Sequence, residues 1–259
     1  MRKKNILAIG AMAAVFSISC QFIQPAQCGN DNFFNVKTAE AFDLGSIGKE
    51  LGKQALGKAL NVDLNDMQDK KQSMIQNLSL ASRCYMQATV DVYDALGYQP
   101  ENYAQLTATL NNLNNDKTDL GSMKNVGTVT KVDKKEIEAR AKDLMDNGTQ
   151  EQIEAANTLI KKAKSERQAA NMYKGLAMRD AGLIIKSSIV ALKDGGLSDK
   201  VKTISDLSSV AKAAQGVGKD ISANSKDLKA ALKAYEKKNN IAEVSDKDAE
   251  KQMKDFGLE

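Results

Sequence analysis

Apolar residues recur at steps of three and four over most of this chain, and this spacing constrains the fold more than any other feature. In the first such stretch the positions are Leu64, Met67, Met74, Leu78, Ala81, Tyr85, Ala88, Val92 and Ala95. Such spacing places apolar side chains along one helix face, and its heptad-like repetition is typical of helices packed lengthwise in a bundle or coiled coil. The two prolines, Pro25 and Pro100, leave long stretches in which nothing breaks a helix.

The pattern predicts main helices over residues 64–96, 149–193 and 198–238. Their predicted ends carry local signals: Asp63 or Asn61 as an N-cap, Gly97 as a C-terminal stop, Gly195-Gly196 as a break, and capping boxes at Asp133 with Glu136 and at Thr149 with Gln152. Aromatic residues make up only 5% and Trp is absent, so the core must come mainly from aliphatic residues and Met. We therefore predict an all-α protein, an elongated up-and-down helical bundle over 61–238.

Two segments lie outside this pattern. Residues 114–132 are rich in Asn, Gly and Thr and are interpreted as a long loop, with a short strand or hairpin arm from Val126 to Val132. Residues 239–259 form a charged C-terminal tail that is expected to fray.

The N-terminus has the pattern of an export signal. Arg2, Lys3 and Lys4 precede an uncharged, largely apolar run from Ile6 to Ser19, which is too short to span a bilayer but matches a secretory signal. We assign residues 1–28 to a cleavable signal peptide of a bacterial type. The alternative, a buried N-terminal helix, does not account for the cationic start.

The cleavage point lies between residues 19 and 41. Residues 17–20 partly resemble a lipobox, which would make Cys20 the lipidated first residue of a lipoprotein, although Ser17 replaces the usual large aliphatic residue. Ordinary cleavage after Cys28 or after Ala41 is the favoured reading. A chain that retains Cys28 can form a disulfide between Cys28 and Cys84; otherwise Cys84 is a small buried apolar residue.

Residues 29–60 combine a polar, flexible stretch with a Gly-rich amphipathic segment, residues 44–60. Leu44, Ile47 and Leu51 share one side of its helical pattern, and glycines recur through it, among them Gly48 and Gly52. The favoured interpretation is a helix packed closely on its neighbours through small residues. The alternative is a segment that binds a membrane surface or a protein partner.

The sequence lacks the residues of common catalytic and metal sites. It contains no His, which excludes His-dependent triads and His-ligated metals, and it has no phosphate-binding or calcium-binding loop. Neighbouring carboxylates, such as Glu136 with Glu138 and Glu151 with Glu154, are expected on solvated helix faces. We therefore predict no enzymatic activity, no cofactor and no metal.

The net charge of +4 comes mostly from the signal segment, because the rest of the chain has 34 basic and 33 acidic residues. This balance argues against nucleic-acid binding. The sequence thus predicts an exported protein, periplasmic or extracellular and in one reading lipid-anchored. It would act as a structural or protein-interaction component of the cell envelope, or as a secreted binding protein.

Its partners would be another protein or a second copy of the chain, bound through helix faces. The alternative is a membrane-active, pore-forming type of protein or toxin component, which would use residues 44–60 or the 181–192 stretch. A lipid anchor or residues 44–60 would also bring the protein to a membrane. Helical toxins, periplasmic chaperones and adhesins also combine export with long amphipathic helices, but no motif specific to any of them occurs here.

Overall fold

A computed structural model of the chain describes residues 63–115, 120–193 and 201–255. These residues are helical and contain no strand. In chain order the helices are α1 (Leu64–Ala95), α2 (Tyr103–Asn115), α3 (Leu120–Met123), α4 (Val126–Val129), α5 (Lys134–Asn147), α6 (Gln150–Lys193), α7 (Val201–Lys238) and α8 (Asp246–Asp255). The predicted all-helical class is confirmed for the described residues.

The fold is organised around α1, α6 and α7, which have 32, 44 and 38 residues and pack along one another. At 1.5 Å per residue, α6 is about 66 Å long. α1 runs antiparallel to α6, since Ser73 contacts Asp180 near one end and Asp91 contacts Lys162 near the other. α7 is antiparallel to α6 as well, with Lys174 bonded to Ser222 and Lys164 to Glu236.

Apolar residues of all three helices form the core between them. Leu78 of α1, Ile160 of α6 and Ile221 of α7 are completely buried. Three tyrosines, Tyr85, Tyr93 and Tyr235, are also fully buried and are among the largest side chains of the core. The core is therefore built from aliphatic residues, methionines and a few tyrosines, and it is filled although aromatic residues are few.

Most of the local end signals act as predicted. The Asp63 side chain accepts a hydrogen bond from the Asn65 amide at 2.8 Å and caps α1. Gly97 follows α1 with φ +57°, a conformation that Gly adopts without the strain of a side chain. Thr149 and Gln152 form a complete capping box, with reciprocal bonds of 2.9 and 3.2 Å.

The second predicted capping box is only half formed. Asp133 accepts hydrogen bonds from the amides of Lys135 and Glu136. The Glu136 side chain does not return to the cap; its carboxylate instead accepts a bond from Arg140 at 2.8 Å.

The strand expected at Val126–Val132 is wrong. This stretch forms the helical turn α4, in which Val126 and Val129 are buried. The Asn224 amide, which comes from α7, donates to the Gly127 carbonyl at 2.7 Å and to the Thr130 hydroxyl at 3.0 Å. Gly127 also lies so close to α7 that an added Cβ would be 2.6 Å from Asp220. Long-range contacts therefore override the β-branched composition of this stretch.

Residues 239–255 do not form the frayed tail that the sequence predicted. Ile241 and Ala249 are buried, and α8 packs on α6. Gln168 of α6 donates a hydrogen bond to Asp246 at the start of α8. The end of the described chain is thus tied to the bundle by both apolar and polar contacts.

Candidate functional site

The exposed large apolar side chains of the described residues concentrate in one region. Leu176, Leu183, Ile189 and Leu192 on α6 and Val201 at the start of α7 are between 39% and 49% exposed. Isolated exposed leucines are ordinary, but a cluster along one helix is typical of a binding surface.

Three of these residues, Leu176, Leu183 and Ile189, belong to one stripe along α6, which does not include Leu192 or Val201. Leu176, Leu183 and Val190 are seven residues apart and so lie on one side of α6. Gly175, Gly182 and Ile189 directly precede these three residues and form a second series with the same spacing. A Cβ added at either glycine would meet nothing within 4 Å. We call these six residues the α6 stripe. Its small and apolar side chains leave room for another helix to approach closely.

The α6 stripe borders the contact between α6 and α1. Asp180 lies four residues after Leu176 and three before Leu183, so both leucines neighbour it on the helix surface. The Ser73 hydroxyl of α1 donates to Asp180 at 2.7 Å. A helix seated on the stripe would therefore lie beside α1 as well.

A second candidate is a buried group of charges between α1 and α6, which we call the Asp91 cluster: Asp91, Lys162 and Glu166. The Lys162 Nζ atom is 2.8 Å from Asp91 Oδ2 and 3.5 Å from Glu166 Oε1. Asp91 is 4% exposed and Glu166 is fully buried. One lysine, whose side chain is 30% exposed, therefore faces two buried carboxyl groups.

Burial raises the pKa of Glu166 well above its usual range, and the nearby Asp91 carboxylate adds to this effect while Lys162 opposes it. Burial alone would lower the pKa of Lys162, but the two carboxyl groups outweigh it and raise that pKa. A neutral Glu166 beside an Asp91–Lys162 ion pair leaves no net charge within the Asp91 cluster, which is the least costly arrangement of these three groups.

A carboxyl group with a raised pKa beside a lysine is a common feature of active sites. The Asp91 cluster lacks the other requirements of one. Glu166 has no exposed surface, and the groove found on α1, of about 380 Å³, lies elsewhere. That groove is lined by Gln68, Asp69, Lys71, Gln72, Ile75 and Gln76, which all belong to the outer side of one helix. We therefore assign the Asp91 cluster to the packing of α1 against α6.

A further polar group joins α6 to the C-terminal segment. The buried Lys164 ammonium lies 2.8 Å from the Glu236 carboxylate of α7 and 3.6 Å from that of Glu243. It also donates to the Ile241 carbonyl at 3.4 Å. Despite partial burial, Lys164 and other nearby cations lower the pKa of Glu243. These contacts hold the chain after α7 against the bundle.

Of the residues singled out from the sequence as candidate sites, the structure describes Cys84. Cys20, Cys28 and the segment with Leu44, Ile47, Gly48, Leu51 and Gly52 lie outside the described residues. Cys84 is buried in α1, where burial and the nearby Glu166 raise the pKa of its thiol to about 12. The disulfide between Cys28 and Cys84 stays a prediction. The 181–192 stretch belongs to α6 and contributes part of the α6 stripe.

The sequence did contain a signal for the buried charges. The apolar series of α6 runs through Ala163 and resumes at Ala170. Glu166 and Arg167 occupy the intervening seam positions, and both are buried. A charged residue at a position reserved by periodicity for an apolar one indicates a buried polar contact, although its partner cannot be identified from the helix alone.

Within the described residues no group of three or more Asp, Glu, Cys or His side chains is arranged to hold a metal ion. Among the same residues, no helix combines the length and apolar character needed to cross a membrane. The chain matches no protein-family model, no curated protein and no solved structure. The geometry of the α6 stripe is therefore the main guide to function.

Proposed function

We propose that this protein is an exported binding module, without enzymatic activity, that docks a helical segment of a protein partner on the α6 stripe. The observation that supports this proposal is the concentration of exposed large apolar side chains on the second half of α6. Soluble helical proteins normally cover such a surface, and amphipathic helices bind grooves through residues at this spacing.

The rest of the described surface favours binding over catalysis. The groove on α1 is lined by three glutamines and Ile75 together with Asp69 and Lys71. A long, rigid helix suits a docking surface, because binding to a preformed face requires little ordering of the protein. We extend the proposal to the cell envelope because of the cationic and apolar N-terminus.

Site-specific photo-crosslinking in the native host tests the binding proposal. A photoreactive residue at Leu183 should give a covalent adduct with one defined protein, and Leu176→Asp in the same chain should abolish it. The matched control is a photoreactive residue at Lys212, which is exposed on α7. Equal adduct formation at the two positions would contradict the proposal.

Liposome binding by the purified protein distinguishes protein docking from the membrane-active alternative. If it binds or permeabilises anionic or neutral liposomes and Leu183→Asp abolishes the effect, the stripe is a membrane surface and the protein-docking proposal fails. An absence of liposome binding, together with the protein adduct at Leu183, supports docking.

Export is tested by the N-terminus of the chain purified from its native host. Removal of at least residues 1–19 is the expected result, because an uncharged apolar run must be buried, inserted or removed. A start at Cys20 with added lipid mass identifies a lipoprotein, and a start near Gly29 or Phe42 identifies a free protein. Retention of Met1 would contradict export.

A further inference from the structure

The α6 stripe carries positive charge along its middle. Arg179 lies three residues after Leu176 and four after Gly175, and Lys186 lies at the equivalent place seven residues later. Residues three and four apart are neighbours on a helix surface, so each cation lies between the two series that form the stripe. The Arg179 side chain is 56% exposed, and Lys186 is partly exposed. A partner that covers the apolar and small residues must therefore meet both cations.

The excess of positive charge belongs to α6 itself. Residues 174–192 contain three cations and one carboxylate, Asp180, whose side chain is only 5% exposed. The Asp180 carboxylate lies 3.4 Å from the Arg179 guanidinium and offsets part of its charge. Within the described part of the chain, no carboxylate forms an ion pair with Lys186. The stripe therefore has a net positive charge that its own helix does not neutralise.

The helices on either side of this part of α6 are balanced in charge. The register between α1 and α6 places residues 66–77 of α1 level with it, and these contain two carboxylates and two lysines. On α7, the contacts to Ser188 and Lys174 of α6 enclose residues 204–222, which also contain two carboxylates and two lysines. The neighbouring helices thus do not cancel the charge of α6, and the stripe favours a negatively charged partner.

The central position of the cations distinguishes between possible occupants. A helix that lies in a membrane surface has its cations on the polar side, where they reach the headgroups while the apolar side is buried. Burying both series of the stripe in lipid would instead carry Arg179 and Lys186 toward the acyl chains. A second copy of the stripe would bring these cations against their equivalents. A protein helix with carboxylates between its apolar residues avoids both costs.

The two glycines of the stripe favour large apolar residues on the partner. A Cβ at Gly175 or Gly182 would meet nothing within 4 Å, so each glycine is an open position beside a large side chain. The two positions are about 10.5 Å apart along α6. Large apolar residues seven apart on a partner helix would fill them, as the side chains of one helix enter the gaps of another in lengthwise packing.

We propose that the segment docked on the α6 stripe is an acidic amphipathic helix. Its large apolar residues, seven apart, occupy the open positions at Gly175 and Gly182, and its carboxylates pair with Arg179 and Lys186. This inference rests on the proposed function, because it assigns the chemistry of the partner at the same surface. The affinity of such a partner falls as the salt concentration rises, since exposed charges are screened.

Two synthetic helices test the inference on the purified full chain. Both are stapled peptides of about 21 residues with leucines seven apart, and they carry either Glu or Lys at the positions between the leucines. Fluorescence anisotropy should show at least about tenfold tighter binding of the Glu peptide, and Lys186→Glu should remove this preference. The matched control is Lys161→Glu, an exposed position on α6 about 21 Å before Gly175, which should leave the preference unchanged. Equal affinities, or no binding of either peptide, would overturn the inference.

A second variant separates close packing from attraction by charge alone. Gly182→Leu fills an open position, so its circular dichroism and thermal unfolding should match those of the wild type. It should weaken binding of the Glu peptide by at least about tenfold, because a partner side chain can no longer enter there. If Gly182→Leu instead strengthens binding to vesicles of phosphatidylglycerol and phosphatidylcholine, the stripe is a membrane surface and the inference is overturned.

The photo-adduct at Leu183 keeps the two proposals distinguishable. If the peptides show no preference while the photo-adduct persists, the inference fails and the proposed function stands. If the Glu peptide is preferred but no photo-adduct forms in the host, the proposed function fails instead.

Discussion

The replacement Glu166→Gln makes the clearest test of how the Asp91 cluster is charged. Glu166 is fully buried against Lys162 and Asp91, and these surroundings hold its pKa well above the usual value of 4.5. Glutamine keeps the size and the polar character of a protonated glutamic acid but cannot ionise. The variant therefore removes one titration from the folded protein while changing its packing very little.

The sign of the effect follows from proton linkage. Between the usual and the raised pKa, the folded protein keeps the Glu166 proton and the unfolded chain has lost it. The stability contributed by this group is therefore complete below the unfolded pKa and is lost as the pH rises toward the folded pKa. The loss reaches about 1.4 kcal/mol of unfolding free energy for each pH unit inside this window.

Urea unfolding followed by circular dichroism measures this difference from about pH 4 to about pH 8. The free energies of unfolding of the wild type and Glu166→Gln should be similar at the acidic end. Above the usual pKa of glutamic acid, the variant should become progressively more stable than the wild type. Glu138→Gln, on the exposed side of α5, controls for the loss of a carboxylate from the surface.

A constant destabilisation by Glu166→Gln across the pH range would refute the reasoning. It would mean that Glu166 is ionised in the folded protein and that its attraction to Lys162 exceeds the cost of burial. Asp91→Asn adds a second check. Removing the like charge should lower the pKa of Glu166 and reduce the pH dependence that distinguishes wild type from Glu166→Gln.

Three further predictions concern the bundle. Leu78→Ala should lower the free energy of unfolding by about 2–5 kcal/mol, because Leu78 is fully buried, whereas Leu176→Ala on the exposed stripe should change it by less than about 0.5 kcal/mol. Thr149→Ala should cost about 1 kcal/mol, because it removes the hydroxyl that caps α6, and a cost near zero would show that the capping box contributes nothing. Cys84 should react with a thiol reagent only slowly in the native protein and much faster in urea, since burial raises the pKa of its thiol to about 12; rapid native labelling would contradict its burial.

Features that depend on neighbouring residues were predictable from the sequence. The N-cap at Asp63, the stop at Gly97 and the capping box of Thr149 with Gln152 each involve atoms only a few residues apart. Their geometry is therefore nearly independent of the rest of the fold. The three long helices were predictable from apolar periodicity. A repeat of three and four residues gives each helix one continuous apolar side, which is buried along its length against its neighbours.

Features that depend on distant residues were decided by the tertiary structure. The helical turn at Val126–Val129 is held by Asn224 of α7, which donates to the Gly127 carbonyl and to the Thr130 hydroxyl, and no local pattern contains that partner. The α6 stripe was likewise decided by contacts between distant parts of the chain. Leu176 and Ile160 are both apolar residues of α6, yet Ile160 is buried and Leu176 is exposed. Periodicity alone gives a helix its apolar positions, whereas the placement of α1 and α7 around α6 determines which of those positions remain open to another molecule.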